Sequence, residues 1–178
     1  MKRIAFFIFI TISLQSCMSY KEMFTIIPEQ TAGEIPIGAN KITIKNNNLL
    51  EENYLKSFKI ALSQNYRIEA SNKELGYVSA SKKDEGDTYV RLNIICGNDS
   101  VMVTSEWKAG MESTIYASAL SGVTINPDWE NAQWNKRADK SSISFAKAVL
   151  FSKEISSDLI YQVPKAPVPE KYWGMEKK

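Results

Sequence analysis

The chain predicts a single α+β domain: an antiparallel meander of four to five strands with two helices packed on one face. Three observations carry this prediction. Between Tyr66 and Lys108 apolar and polar residues alternate in successive runs separated by short turns, the pattern of half-buried antiparallel strands. Two stretches, from about Leu49 to Gln64 and from Ser141 to Gln162, repeat apolar residues at helical spacing. The length of 178 residues, with 44% hydrophobic and 24% charged residues, allows one real core without disulfides.

The elements follow in order. Residues 18–40 show no sustained period and are punctuated by Pro28, Gly33, Pro36 and Gly38, so they read as a tether that joins the domain near Glu34. Lys41 to Lys45 alternates and predicts a short strand. Asn46-Asn47-Asn48 predicts a turn and the N-cap of the first helix. That helix carries Leu50, Tyr54, Leu55, Phe58, Ala61 and Leu62 at helical spacing. Tyr66, Ile68 and Ala70 begin the meander, and Tyr77 to Lys82 continues it. In the run Thr88 to Cys96, Val90, Leu92, Ile94 and Cys96 point inward and Tyr89, Arg91 and Asn93 outward. A connection over Gly97-Asn98-Asp99-Ser100 returns the chain through Val101 to Lys108.

Residues 109–140 lack a clear period, and a stretch of that length in a compact domain is either functional or misread. The last helix carries Phe145, Ala148, Val149, Ile155 and Leu159, with Ser141 or Ser142 as N-cap, and ends near Gln162, before Pro164. Residues 163–178 form a Pro-rich, polyproline-like tail. The expected organisation is a signal segment 1–16, a tether 17–40, a domain 41–162 and a tail 163–178.

The N-terminus supplies an address. Met1-Lys2-Arg3 is a basic start, and Ile4 to Leu14 is an apolar run of 11 residues. As a helix it rises about 16 Å, roughly half a bilayer core, which suits the apolar region of a signal peptide. Leu14-Gln15-Ser16-Cys17 then resembles the lipobox of bacterial lipoproteins, with Gln15 departing from the small residue usual there. The resemblance covers about the first 17 residues. It implies cleavage between Ser16 and Cys17 and a diacylglycerol on the Cys17 thiol, with acyl chains holding the domain on a membrane. Met18 stands where an inner-membrane retention signal would carry Asp, which points to the outer membrane of a bacterial envelope. The stretch "ALSQNYRIEASNKELGYVSAS" is similar to a pattern in small envelope lipoprotein domains, including helix-grip modules of outer-membrane assembly lipoproteins. That likeness implies a fold rather than an activity.

Absences narrow the function. The chain has no histidine, so it cannot by itself build Ser-His-Asp or Cys-His machinery or a His-based zinc site. Of its two cysteines, the resemblance implies that lipidation takes Cys17; if it does, Cys96 has no partner and a disulfide framework is excluded. Without Lys2 and Arg3 the body balances at 20 basic against 20 acidic residues, and a neutral body argues against a nucleic-acid surface.

Candidate chemistry is sparse. Ser-x-x-Lys occurs as Ser79/Lys82, Ser105/Lys108 and Ser144/Lys147, a spacing that sets an amine beside a nucleophilic hydroxyl only on a helix. Two of the three fall on predicted strands. Asp84-Glu85-Gly86-Asp87 offers too few oxygens for a calcium loop and reads as a solvated turn. Asn98-Asp99-Ser100 matches short glycosylation patterns, with Ser100 as acceptor. Trp107, Tyr116, Trp129 and Trp134, with Tyr172 and Trp173 in the tail, are the candidate recognition surface, since exposed aromatics anchor interfaces.

The expectation is a non-enzymatic, membrane-anchored envelope lipoprotein that binds another envelope protein, with no cofactor, metal or nucleic acid. The alternative is a module enclosing a lipid or glycan in an apolar cavity lined by Tyr77, Val90 or Trp107. A solid core with an exposed aromatic patch favours the first.

Overall fold

The computed structural model describes residues 26–84, 87–121, 127–136 and 139–164. The architecture is α+β. A short helix α1 (Glu29–Glu34) precedes β1 (Lys41–Lys45), α2 (Leu50–Ser63), β2 (Arg67–Asn72), β3 (Tyr77–Asp84), β4 (Thr88–Gly97) and β5 (Ser100–Ala109). Then come α3 (Met111–Ser121), β6 (Glu130–Asn131), α4 (Lys140–Ile155) and β7 (Leu159–Gln162). The sheet order is β2-β3-β4-β5-β1-β7, every described pairing is antiparallel, and β6 adds to β5.

Strands β4 and β5 follow the expected alternation, whereas β2 is largely exposed, with a register shift between Ile68 and Ala70, and β3 buries Val78, Ser79, Ala80 and Ser81 in succession. Val90, Leu92, Ile94 and Cys96 lie buried on one face of β4, opposite Trp107, Ser105, Val103 and Val101 of β5. Helices α2 and α4 cover this face. The two helices differ in burial for a physical reason. Helix α2 is amphipathic and buries Asn53, Tyr54, Ser57 and Ala61. Helix α4 buries Ser142, Ser144 and Ser152 together with its apolar residues. It has the sheet on one side and α1 on another, where Lys153 Nζ donates to Thr31 Oγ1 at 2.7 Å.

Four expectations are corrected. The presumed tether gives its last part to the body: Ile27, Ala32, Ile35 and Ala39 are buried, and Gly38 N–H donates to the Trp134 carbonyl at 2.6 Å. The last helix ends at Ile155, not Gln162. Ser156 is extended, and Leu159 to Gln162 pairs with β1, which would otherwise be an open edge. With β6 and β7 the sheet has seven strands among the described residues rather than four or five.

The helix caps differ too. The α2 N-cap is Leu49, whose N–H donates to the Glu52 carboxylate at 3.1 Å, while Leu50 N–H donates to Asn98 Oδ1 from the β4–β5 turn at 3.0 Å. Asn46 and Asn48 instead hydrogen-bond the buried Asn53, whose amide also donates to the Gly97 carbonyl at 2.9 Å. The α4 N-cap is Asp139, which accepts from Ser142 N–H at 2.7 Å; Ser141 and Ser142 lie inside the helix.

Candidate functional site

Two surface features stand out. The first is a cleft at the β2 edge. Strand β2 starts at Arg67, which pairs with Ser81, but β3 runs on to Asp84 with only β4 as neighbour. The missing length of β2 leaves a notch of about 1080 Å³. Gln64, Asn65 and Arg67 form one wall, and Tyr89, Lys108 and Trp129 another. Lys82, Lys83 and Asp84 line it from β3.

The outer sheet face beside the notch is a connected polar network. The Arg91 guanidinium donates to Glu106 at 2.6 Å and sits 3.7 Å from Glu69. Ser81 Oγ donates to Glu69 at 2.6 Å, and Asn93 donates to Glu106 at 2.9 Å. Trp129 lies over this network with the Arg91 guanidinium 4.3 Å and the Lys108 ammonium 4.7 Å from its ring, so cation–π contacts fix the indole.

Behind the notch Lys147 pairs with Asp84, both largely buried. Lys82 Nζ stands 4.4 Å over the buried Tyr66 ring. Burial first, and then the Lys147 charge, lower the Lys82 pKa from its usual value. Burial pushes the Tyr66 hydroxyl above its ordinary range.

The second feature is α3, which has no buried residue. Met111, Ile115, Tyr116 and Leu120 are exposed, Tyr116 by 72% and Leu120 by 90%. These apolar residues cover one half of the helix, opposite the half-buried Ser113, Thr114, Ala117 and Ser118. Its start is held from the β3–β4 turn. Asp87, in the left-handed region at φ 55°, accepts from Ser113 N–H at 3.0 Å. That bond is the main reason the Asp87 carboxyl is held below its usual value; burial opposes it, and Lys83 assists. Asp87 O also accepts from Gly110 N–H at 2.7 Å, and a Cβ on Gly110 would strike the Asp87 carboxylate.

The predicted site residues scatter. Trp134 is a correction: it is fully buried, because its N–H and carbonyl pair with Ala39 and Gly38 and carry the indole into the core. Its indole N–H has no partner among the described residues. Trp129 lines the notch, Tyr116 projects from α3, and Trp107 is half-buried at the rim of the core. No single patch therefore unites the aromatics. Ser100 is half-buried at the start of β5, its hydroxyl 3.4 Å from the Asn98 carbonyl. Cys17, Ser16, Tyr172 and Trp173 lie outside the described residues.

The proposed cavity residues do not meet around one space: Val90 is core, and Tyr77 faces out, its hydroxyl 3.3 Å from Asn93 Oδ1. The notch itself could not be read from periodicity, because it depends on where two strands stop.

The Ser-x-x-Lys pairs do not form dyads. Three residues apart on a strand means opposite faces, so Ser79 and Ser105 look away from Lys82 and Lys108. Ser144 is fully buried and Lys147 is engaged by Asp84. Cys96 is buried in the core, and burial raises its thiol pKa against a lowering by the Ser57 hydroxyl. Among the described residues there is no cluster of three or more Cys, Asp or Glu suited to a metal, and no helix long and apolar enough to cross a membrane.

Comparison with protein-family models, curated proteins and solved structures finds no match. The functional argument therefore rests on this geometry.

Proposed function

We propose that this chain is a membrane-anchored, non-enzymatic bacterial envelope lipoprotein that acts by contacting another envelope protein through α3. The observation that carries the reading is the exposure of Ile115, Tyr116 and Leu120 on a helix with no fully buried residue. An isolated helix of 11 residues is marginal in water, and most helices are stabilised by packing a face. A helix half-buried against the body through Ser113, Thr114 and Ala117, with an exposed apolar outer half, is explained by a partner that covers that outer half.

The lipobox-like Leu14 to Cys17 supports the anchoring half. Acyl chains on Cys17 would raise the effective concentration at the membrane, so that modest contacts suffice. On this reading Cys17→Ala releases the protein from membranes, and full retention through carbonate washing contradicts it. A photo-cross-linking residue at Tyr116 or Leu120, irradiated in intact cells, is expected to capture one envelope protein in stoichiometric yield. The same residue at Lys59, exposed on α2, is expected to capture none. No protein adduct at either α3 position overturns the proposal.

A further inference from the structure

Inside the notch the charges are unequal in a way that composition hides. Two acids line it, and both are engaged: Glu69 by Ser81 and Arg91, Asp84 by Lys147. Of the four cations lining it, Lys83 has Asp87 at 3.4 Å. Arg67, Lys82 and Lys108 have no acid within ion-pair distance among the described residues. A neutral chain thus presents two positive groups without an acid partner, Arg67 and Lys108, to one concavity, while Lys82 feels the Asp84 carboxylate on the helix side of the sheet.

The remaining wall is aromatic. Trp129 is held by Arg91 and Lys108, and the Tyr89 ring lies 5.5 Å from Lys108 Nζ. Rings fixed beside cations offer flat apolar faces next to sites for anionic groups. The volume of about 1080 Å³ lies at the upper end of small-molecule sites and exceeds what a lone inorganic ion needs.

We infer that the notch between β2 and β3 binds an anionic saccharide, its carboxylate or phosphate groups on Arg67 and Lys108 and a sugar face on Trp129. The planar Arg67 guanidinium suits bidentate recognition of either oxyanion, and the Lys108 ammonium acts as a point charge. This site is separate from α3 and does not depend on the partner reading.

The test is calorimetric titration of the full chain, held in nanodiscs of neutral phosphatidylcholine. The probes are trigalacturonate, galactotriose, inorganic phosphate and phosphatidylglycerol vesicles. Trigalacturonate is expected to bind at least tenfold more tightly than galactotriose and than inorganic phosphate. The Arg67→Ala/Lys108→Ala variant is expected to weaken it tenfold or more, and Trp129→Ala to weaken it as well, while Lys59→Ala leaves it unchanged. Circular dichroism of each variant separates lost binding from lost fold. Arg67→Gln/Lys108→Gln, which keeps more of the side-chain length, is expected to show the same loss.

Equal affinity for the neutral trisaccharide would remove the charge argument. Equal affinity for phosphate would remove the sugar. Binding of the vesicles alone would assign the cations to a lipid surface. No binding of trigalacturonate at millimolar concentration would end the proposal.

Discussion

Truncating Trp134 removes the largest fully buried side chain among the described residues. Core Phe or Trp to Ala substitutions cost about 3–5 kcal/mol, through lost transfer energy and the cavity left behind. Here a second effect has the opposite sign. The indole N–H has no described partner, and a buried unsatisfied donor costs about 1–3 kcal/mol, which its deletion returns. The expected net loss for Trp134→Ala is therefore about 2 kcal/mol. Trp134→Phe separates the two effects. It leaves a gap of roughly 40 Å³, worth about 1 kcal/mol at ~24 cal/mol per Å³, while returning the donor penalty. That variant should be neutral or slightly stabilised. The assay is urea unfolding of the full chain followed by far-UV circular dichroism, with the denaturant slope checked for constancy. A loss above about 2 kcal/mol for Trp134→Phe would show that the N–H is bonded, and the ledger is then wrong. A loss below about 0.5 kcal/mol for Trp134→Ala would return the ring to the surface.

Three other perturbations follow from the same geometry. Asn53→Leu keeps the branched shape, with bulkier methyl groups, but strips the Gly97 carbonyl and the Asn46 amide of a buried partner. It should cost about 2–4 kcal/mol in urea unfolding, and a loss under about 1 kcal/mol would show that the network is not structural. The Asp87 carboxyl is held below its usual value, chiefly by Ser113 N–H, so its grip on α3 is fully present above the ordinary carboxyl range. That grip is lost as the pH falls through the lower folded value. Hydrogen exchange at Ser113, corrected for intrinsic rates, should lose protection there, and Asp87→Asn should be less protected at neutral pH; unchanged protection in both cases refutes the cap. Cys96 is buried and its thiol is pushed upward by that burial. Peptide mass spectrometry should find it unmodified by a disulfide reagent in the native chain and modified in urea. Rapid native labelling would contradict its burial.

Alternation made β4 and β5 readable. In both, each residue's face follows from its parity, so the burial of Val90, Leu92, Ile94 and Cys96 needs no knowledge of the partner strand. Leu159 shows where this stops working. It stands four residues after Ile155, as on a helix face, and two before Tyr161, as on a strand face. The pattern fits both, and the unpaired edge of β1 decides for the strand. Trp129 and Trp134 show the same limit in the irregular segment. They lie five residues apart without a period to rank them. Backbone pairing of residue 134 with residues 38 and 39, far away in sequence, buries one and leaves the other on the sheet.

By itself the sequence determined the α+β class, the two main helices, the inward faces of β4 and β5 and the buried place of Cys96. Each is written in local periodicity, which acts within one element. The tertiary structure alone decided the seventh strand, the burial of Trp134, the exposed outer half of α3 and the notch with its uncompensated cations. These depend on where strands stop and which distant side chains pair, and such long-range contacts leave no period in the chain.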